Sequence, residues 1–208
     1  MNVTTQLSDP QACPTLRSMS EQDTPPPWPT VRVHPSLSYP VFSLQEVERR
    51  SPRTGAVGRF QVLNCAPWVN VIALTDEDEV VLIRQFRHGT AEVTVEIPGG
   101  LVDPGEAPQV AAARELLEET GFAGATPVHL GSVEPNPALQ DNVCSTWLIR
   151  AARPVAQPRP DDMEQIEVVL LPRDEVDSWI DSGSIRHALV VAAFKLFELN
   201  ERSRKQPS

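Results

Sequence analysis

The sequence predicts an α+β protein, an α/β/α sandwich with a mixed β-sheet. Short strand-like segments come first, one helix interrupts them, more strands follow, and two helices close the chain. This order of elements favours a sheet that is covered by helices. The 208 residues suffice for one domain with an appendage. A core of about 150 residues buries roughly two-thirds of its unfolded surface.

The composition divides the chain into three parts. Residues 1–38 hold seven of the 21 prolines and no regular apolar period, so we expect a mostly disordered leader. The folded domain is expected over residues 39–202, and residues 203–208 form a tail. The predicted strands are 39–50, 56–64, 68–74, 79–86 and 92–98, then 127–135, 141–151 and 165–172; the closing helices are 174–181 and 185–202.

The internal helix is delimited by a proline and a glycine. Pro108 suits the first helical turn, where its missing N–H is no loss. Gly121 adopts the left-handed conformation that ends helices. Apolar residues at helical spacing predict which face is buried: Val110, Ala113 and Leu117.

The opposite face of this helix is acidic. Glu115, Glu118 and Glu119 are three and four positions apart, so they share one face near the C-terminal end, where negative charge is disfavoured. Arg114 is adjacent and can brace a carboxylate with its planar guanidinium. A hard cation such as Mg²⁺ or Mn²⁺ would relieve the repulsion, because these ions prefer oxygen ligands. A solvated acidic face is the alternative.

Residues 100–122, GLVDPGEAPQVAAARELLEETGF, fill every defined position of the pattern G-x5-E-x7-R-E-U-x-E-E-x-G-U, where U is a bulky apolar residue. This segment resembles the Nudix box, the signature of the Nudix hydrolases. The resemblance implies a Nudix-type sandwich. It also implies hydrolysis of nucleoside diphosphates linked to another group, with Mg²⁺ or Mn²⁺ and a water nucleophile.

The resemblance also implies roles for particular residues. The metal ligands would be Glu115, Glu118, Glu119 and the backbone carbonyl of Gly99, with Glu106 nearby. Arg114, Glu115 and Glu119 would belong to the catalytic group. Such enzymes often take a general base or a further ligand from a later loop, for which Glu164 is the first choice and Asp162 the reserve. A solvated acidic loop is the alternative.

Two segments outside the box resemble the ADP-ribose pyrophosphatases, namely LIRQFR at 82–87 and EIPGG at 96–100. They suggest that Arg87, and secondly Arg84, contacts the substrate. Glu96 is expected either to bind substrate or to form a cross-strand ion pair. Arg59 is a looser candidate. The histidines show no ligand spacing and are interpreted as structural or surface residues: His34, His88, His129 and His187.

The composition of the chain argues against some classes of binding partner. The net charge of −10 disfavours nucleic acids, and no apolar run approaches the ~20 residues of a membrane span. The N-terminus has no signal-peptide character, and three scattered cysteines suit a reducing cytoplasm. The subfamily resemblance further implies a homodimer whose strands before the box contribute to the partner's site.

The sequence therefore predicts a cytoplasmic Mg²⁺-dependent hydrolase of ADP-ribose or a related nucleoside diphosphate sugar. The products would be a nucleoside monophosphate and a sugar phosphate. One alternative is a Nudix hydrolase of a nucleoside triphosphate, a dinucleoside polyphosphate or a coenzyme-A derivative. Another is a non-catalytic ligand sensor on the same scaffold.

Overall fold

The computed structural model describes residues 24–159 and 163–205, and within them the chain forms thirteen strands and three α-helices. The strands are β1 (Thr30–Val33), β2 (Leu37–Ser38), β3 (Phe42–Arg50), β4 (Val57–Cys65), β5 (Trp68–Ala73), β6 (Glu79–Arg87), β7 (Glu92–Glu96), β8 (Gly99–Leu101), β9 (Phe122–Ala123), β10 (Val128–Val133), β11 (Cys144–Ile149), β12 (Arg153–Pro154) and β13 (Ile166–Pro172). The helices are α1 (Pro108–Thr120), α2 (Val176–Asp181) and α3 (Ala188–Lys205).

Two strand groups form the centre of the fold. One runs β10-β11-β5-β8 and is mixed, because β11 and β5 are parallel while the other pairs are antiparallel. The second is antiparallel with the order β13-β6-β7. A bridge between Leu74 and Val80 connects the two groups. The predicted mixed sheet is confirmed.

The central strands are buried on both faces. Along β5, Val69, Val71 and Ala73 pack in the cluster that contains the buried residues of α1. Ile72 belongs to the cluster that contains the residues of α3. Successive strand residues point to opposite faces, so this division places α1 on one side and α3 on the other. The layers are those of the predicted α/β/α sandwich.

The predicted N-terminal boundary differs from the structure. Residues 1–23 lie outside the described residues, but the later part of the expected leader contains β1 and β2, and both pair with β3. Alternating valines in Thr30–Val33 allow this pairing despite the neighbouring prolines. The small sheet of β1 to β4 contacts the main domain through Leu63, whose N–H donates to the Leu139 carbonyl over 2.7 Å.

The C-terminal helix also differs from the predicted boundary. It continues to Lys205, past the expected domain end at residue 202, and residues 206–208 lie outside the described residues. None of the helices that the structure describes combines the length and the apolarity that a membrane crossing requires.

The predicted buried face of α1 is wrong. Val110, Ala113 and Leu117 are exposed. The helix instead buries Ala111, Ala112, Leu116, Glu119 and Thr120. Two adjacent alanines have no bulk beyond Cβ, so the helix backbone lies close to the sheet on that side. The packing therefore turns part of the acidic face inward.

Gly121 ends α1 in the left-handed conformation, with φ of 73°, and a Cβ there would lie 2.2 Å from the Ala156 carbonyl oxygen. We expect Gly121→Ala to lower the free energy of unfolding by about 3 kcal/mol or more, because strain and a backbone clash add. The matched control is Gly105→Ala, where φ is +84° but no atom lies within 4 Å, so the cost should be about 1 kcal/mol. Urea unfolding measures both, and equal costs would contradict the clash.

Candidate active site

The acidic helix lies against the strand that precedes it in the chain. Glu119 is 5% exposed, and its Oε2 accepts a hydrogen bond from the Gly99 N–H over 2.9 Å. The adjacent Gly100 has no side chain, and a Cβ there would lie 2.4 Å from the Glu115 carboxylate. The two glycines of β8 therefore allow the strand backbone to approach the carboxylates of α1 directly.

Arg114 gathers the other carboxylates. Its guanidinium donates to both oxygens of Glu106 over 2.9 Å each, and Nη1 also donates to Glu115 over 2.9 Å and to Glu118 over 3.0 Å. Nη2 reaches the Leu101 carbonyl over 2.9 Å. A single planar group thus fixes three carboxylates and the end of β8, which is the bracing role that the sequence suggested.

Burial and crowding alter the protonation of this group. Burial raises the pKa of Glu119 to about 8, although the Gly99 N–H opposes that shift and the charges of Glu115 and Glu164 add to it. Burial also raises the pKa of Glu115. The hydrogen bonds from Arg114 hold the pKa of Glu106 below its usual range. At neutral pH Glu119 therefore favours its protonated form, and a bound cation would displace that proton.

A second charged group lies on β6 and β7. Arg87 donates from Nε and Nη2 to the two oxygens of Glu96 over 2.7 and 2.8 Å, and the Thr94 hydroxyl donates to Glu96 over 2.6 Å. Burial by itself would raise the pKa of Glu96. The hydrogen bonds from Arg87 and Thr94 outweigh burial, so the pKa lies below its usual value. The expected cross-strand ion pair therefore forms. The side chain of Arg87 is 43% exposed, so its outer N–H groups remain accessible.

The two groups are adjacent because β7 leads directly into β8. Pro98 lies between these terminal strands, and its carbonyl accepts the Val71 N–H over 2.8 Å. The pKa of Arg87 is raised first by its hydrogen bonds to Glu96 and also by the charges of Glu119 and Glu164. The chain thus brings its predicted arginine and its acidic helix into one electrostatic environment.

The remaining predicted site residues have different surroundings. Glu164 is close enough for its charge to raise the pKa values of Glu115 and Glu119, whereas Asp162 lies outside the described residues. Arg84 pairs with Glu167 across 3.3 Å. Arg59 pairs with Glu46 and Glu48 on the N-terminal sheet. Within residues 24–159 and 163–205, neither of these arginines makes a hydrogen bond or an ion pair to the α1 carboxylates.

The donor set fits a hard divalent cation by its chemistry. Glu115, Glu118 and Glu119 offer carboxylate oxygens, and the backbone of Gly99 lies at Glu119. In the described part of the chain, no three acidic, histidine or cysteine side chains are already arranged to hold a metal. Arg114 donates to one oxygen of Glu115 and to one oxygen of Glu118. The second oxygen of each carboxylate could serve a cation.

The sequence interprets His187 as a structural or surface residue, and the structure adds where it lies. Its Nε2 lies 3.9 Å from Glu96 Oε2, beside the Arg87 pair. A lone histidine without ligand spacing gives no sequence signal that it will lie beside Glu96 and Arg87. The position follows from the structure, where Arg186 and His187, just before α3, reach Glu92 and Glu96 of β7.

The family comparison agrees with this arrangement. The family described as the NUDIX domain matches residues 66–194, and the chain belongs to this family. The sequence is 26% identical over 153 residues to "ADP-ribose pyrophosphatase" of Bacillus subtilis (strain 168), covering 73% of this chain and 83% of the relative. It is 28% identical over 173 residues to "Methanol dehydrogenase activator" of Bacillus methanolicus, covering 83% and 93%.

A solved structure supports the fold. It is described as a crystal structure of ADP compounds hydrolase, superposes with a TM-score of 0.76 at 21% identity, and covers 88% of this chain and 99% of its own. The family resemblance inferred from the box and the predicted sandwich are both confirmed.

The buried Glu119 makes the metal-free protein sensitive to pH. Its pKa of about 8 in the folded state lies above the ordinary 4.5, so the folded protein retains a proton that the unfolded chain releases in between. The free energy of unfolding should therefore fall as the pH rises from about 5.5 to about 8. Glu119→Gln, which can still accept the Gly99 N–H, should remove roughly 1–3 kcal/mol of that loss. Urea unfolding in EDTA at both pH values measures the effect.

The exposed Glu198 provides the control, because Glu198→Gln changes a carboxylate on α3 that pairs with Lys195 and Arg202 in solvent. This variant should keep the pH dependence of the wild type. If Glu119→Gln also keeps it, the proton is not held at Glu119.

Proposed function

We propose that this protein is a Mg²⁺-dependent, or Mn²⁺-dependent, pyrophosphohydrolase of ADP-ribose or a related nucleoside diphosphate sugar. The reaction adds water across the diphosphate and releases a nucleoside monophosphate and a sugar phosphate. The observation that carries the proposal is the adjacency of the α1 carboxylates to the Arg87–Glu96 pair through β7 and β8. This arrangement places oxygen ligands for a cation beside a cationic group for an anion.

The protein residues divide the work between them. The cation would be held by Glu115, Glu118, Glu119 and the Gly99 carbonyl. Arg114 would brace Glu115 and Glu118 beside it. When bound, the cation neutralises the diphosphate and lowers the pKa of water. Arg87 would contact the diphosphate through its outer N–H groups while Glu96 fixes its orientation. Arg84 and Arg59 are the reserve contacts.

A carboxylate near the acidic face of α1 would accept the proton of the attacking water. Glu164 is our choice, because its negative charge already raises the pKa values of Glu115 and Glu119. Asp162 remains the reserve for the same role. A general base must lie within reach of the proton that it removes, directly or through one water.

The substrate class rests on the relatives. The similarity to "ADP-ribose pyrophosphatase" extends over most of both chains and therefore includes the acidic helix and the strands before it. The segments at 82–87 and 96–100 that suggested this subfamily include both members of the Arg87–Glu96 pair. A cytoplasmic location fits the described cysteines, Cys65 and Cys144, which are free thiols.

The proposed reaction predicts which carboxylate is required. Purified protein with Mg²⁺ should release AMP from ADP-ribose, and Glu118→Gln should lower kcat at least about a hundredfold, because it removes a cation ligand. Product formation is followed by nucleotide chromatography. The parallel panel contains ADP-glucose, a nucleoside triphosphate, a dinucleoside polyphosphate and a coenzyme-A derivative.

The control is Glu198→Gln, since Glu198 is an exposed α3 carboxylate that pairs with Lys195 and Arg202. It should keep wild-type turnover. If the highest turnover falls on another member of the panel, the family reaction stands and the sugar assignment fails. If the wild type hydrolyses nothing and Glu118→Gln binds ADP-ribose normally, the sensor reading replaces the hydrolase.

We also propose a homodimer formed through the N-terminal sheet. This sheet exposes several apolar side chains, among them Val31, Val33, Leu37, Val57 and Phe60. Val33 and Phe60 both lie opposite Val47 of β3, so they share one face of the sheet, and exposed apolar groups on one face mark interaction sites. Association there would also bring the strands before the box to the partner's site.

The dimer predicts a change of mass on a single substitution. Val33→Asp should shift the protein from dimer to monomer in light scattering coupled to size exclusion, because it places a charge in the apolar surface. Val128→Asp is the control, since Val128 is similarly exposed but lies on β10. A wild-type monomer, or equal effects of both variants, would contradict this interface.

A further inference from the structure

His187 stands at the start of α3 with two ring nitrogens in different surroundings. Its carbonyl accepts the N–H groups of Val190 and Val191 over 3.0 and 3.1 Å, so its backbone is fixed by the helix. Nδ1 is buried and has no hydrogen-bond partner among the residues that the structure describes. Nε2 faces Glu96 Oε2 at 3.9 Å. Buried unpaired N–H groups are rarer than unpaired acceptors, so we assign the ring proton to Nε2, which faces Glu96.

Glu96 has a free acceptor position on the side that faces His187. Its Oε1 accepts from Arg87 Nε and from the Thr94 hydroxyl. Its Oε2 accepts from Arg87 Nη2 alone, among the residues that the structure describes. A carboxylate oxygen offers about two lone-pair sites, so one site of Oε2 remains for a further donor.

The 3.9 Å gap between His187 Nε2 and Glu96 Oε2 allows one hydroxyl oxygen, placed to the side, to hydrogen-bond to both atoms. A separation of 3.9 Å is too long for a direct hydrogen bond. An oxygen about 2.8 Å from both atoms would see them at an angle of roughly 90°, which a hydroxyl tolerates. The tautomer with its proton on Nε2 places a donor at one side of the gap, while Glu96 is the acceptor at the other. A hydroxyl matches both, because it donates and accepts.

The chemistry of the gap selects the kind of ligand. A phosphate oxygen would be repelled by Glu96 and has no proton to donate, whereas the adjacent Arg87 suits an anion. The side chains of His187 and Arg87 are 33% and 43% exposed, so the gap is bordered by accessible groups although Glu96 itself is 4% exposed. A ligand that carries a hydroxyl close to a phosphate fits this arrangement.

We propose that His187 and Glu96 form a subsite for one hydroxyl of the sugar that is linked to the diphosphate, and that His187 determines specificity for this sugar. The inference rests on the proposed function for the identity of the ligand. The hydroxyl donates to Glu96 Oε2 and accepts from His187 Nε2. A site that hydrogen-bonds a substrate hydroxyl discriminates strongly against ligands that lack it, because its buried polar groups are then left unpaired.

The test compares a ligand that has the sugar with one that lacks it. We expect His187→Ala and the bulkier His187→Phe to raise the KM for ADP-ribose about three- to tenfold, the effect of losing one hydrogen bond. The inhibition constant of ADP, which has the diphosphate but no second sugar, should change less than about twofold. Arg186→Ala is the matched control, because Arg186 stands at the same helix start but pairs with Glu92. It should leave both constants unchanged.

Each possible result either supports or overturns the contact between His187 and the sugar. Equal weakening of ADP-ribose and ADP would show that His187 acts through Arg87, and would overturn the sugar contact. Wild-type constants in both His187 variants would also overturn it. Thermal unfolding of each variant confirms that the fold is intact, and the two different side chains guard against a local packing defect.

The sugar subsite can be tested even if the proposed hydrolase activity is not found. If the wild type does not hydrolyse ADP-ribose, calorimetric titration with ADP-ribose and with ADP gives the same comparison as dissociation constants. A loss confined to ADP-ribose in the His187 variants then supports the subsite without the reaction. Absence of binding of both ligands by the wild type would overturn the subsite together with the function.

Discussion

The hydrogen bond from the Gly99 N–H to the buried Glu119 carboxyl is the contact on which the rest of the site depends. It joins α1 to β8 at the point where the chain leaves β7, which carries Glu96. The absence of a side chain at Gly100 permits the same close approach to Glu115. Without this approach, the acidic helix would not lie beside the Arg87–Glu96 pair.

Like charges dominate this region, and the fold keeps them together in two ways. Arg114 bridges Glu106, Glu115 and Glu118, while burial favours the protonated form of Glu119. Both arrangements are reversible, because a guanidinium can exchange partners and a carboxyl can lose its proton. Carboxylates held in this way can bind a cation. Without the cation, their burial and mutual repulsion lower the stability of the fold.

The strand alternation explains why the site lies where it does. Central strands such as β5 bury residues on both faces, so the helices occupy both sides of the sheet. The terminal strands β7 and β8 end the two strand groups, and β7 carries the polar side chains Thr94 and Glu96. Functional groups therefore concentrate where hydrophobic packing ends, and the start of α3 adds His187 to the same place.

The sequence by itself determined the acidic helix, its ends at Pro108 and Gly121, and the strands around it, because these signals depend on residues a few positions apart. It also indicated the family through the complete box, and it selected Arg87 and Glu96 as site candidates without pairing them. The tertiary structure decided what local patterns do not contain. Close packing at Ala111 and Ala112 exposed Val110 and Leu117 and buried Glu119, pairing with β3 ordered part of the expected leader, and α3 brought His187 to Glu96. These outcomes depend on contacts between residues that are distant in the chain, and such contacts are set by packing rather than by periodicity.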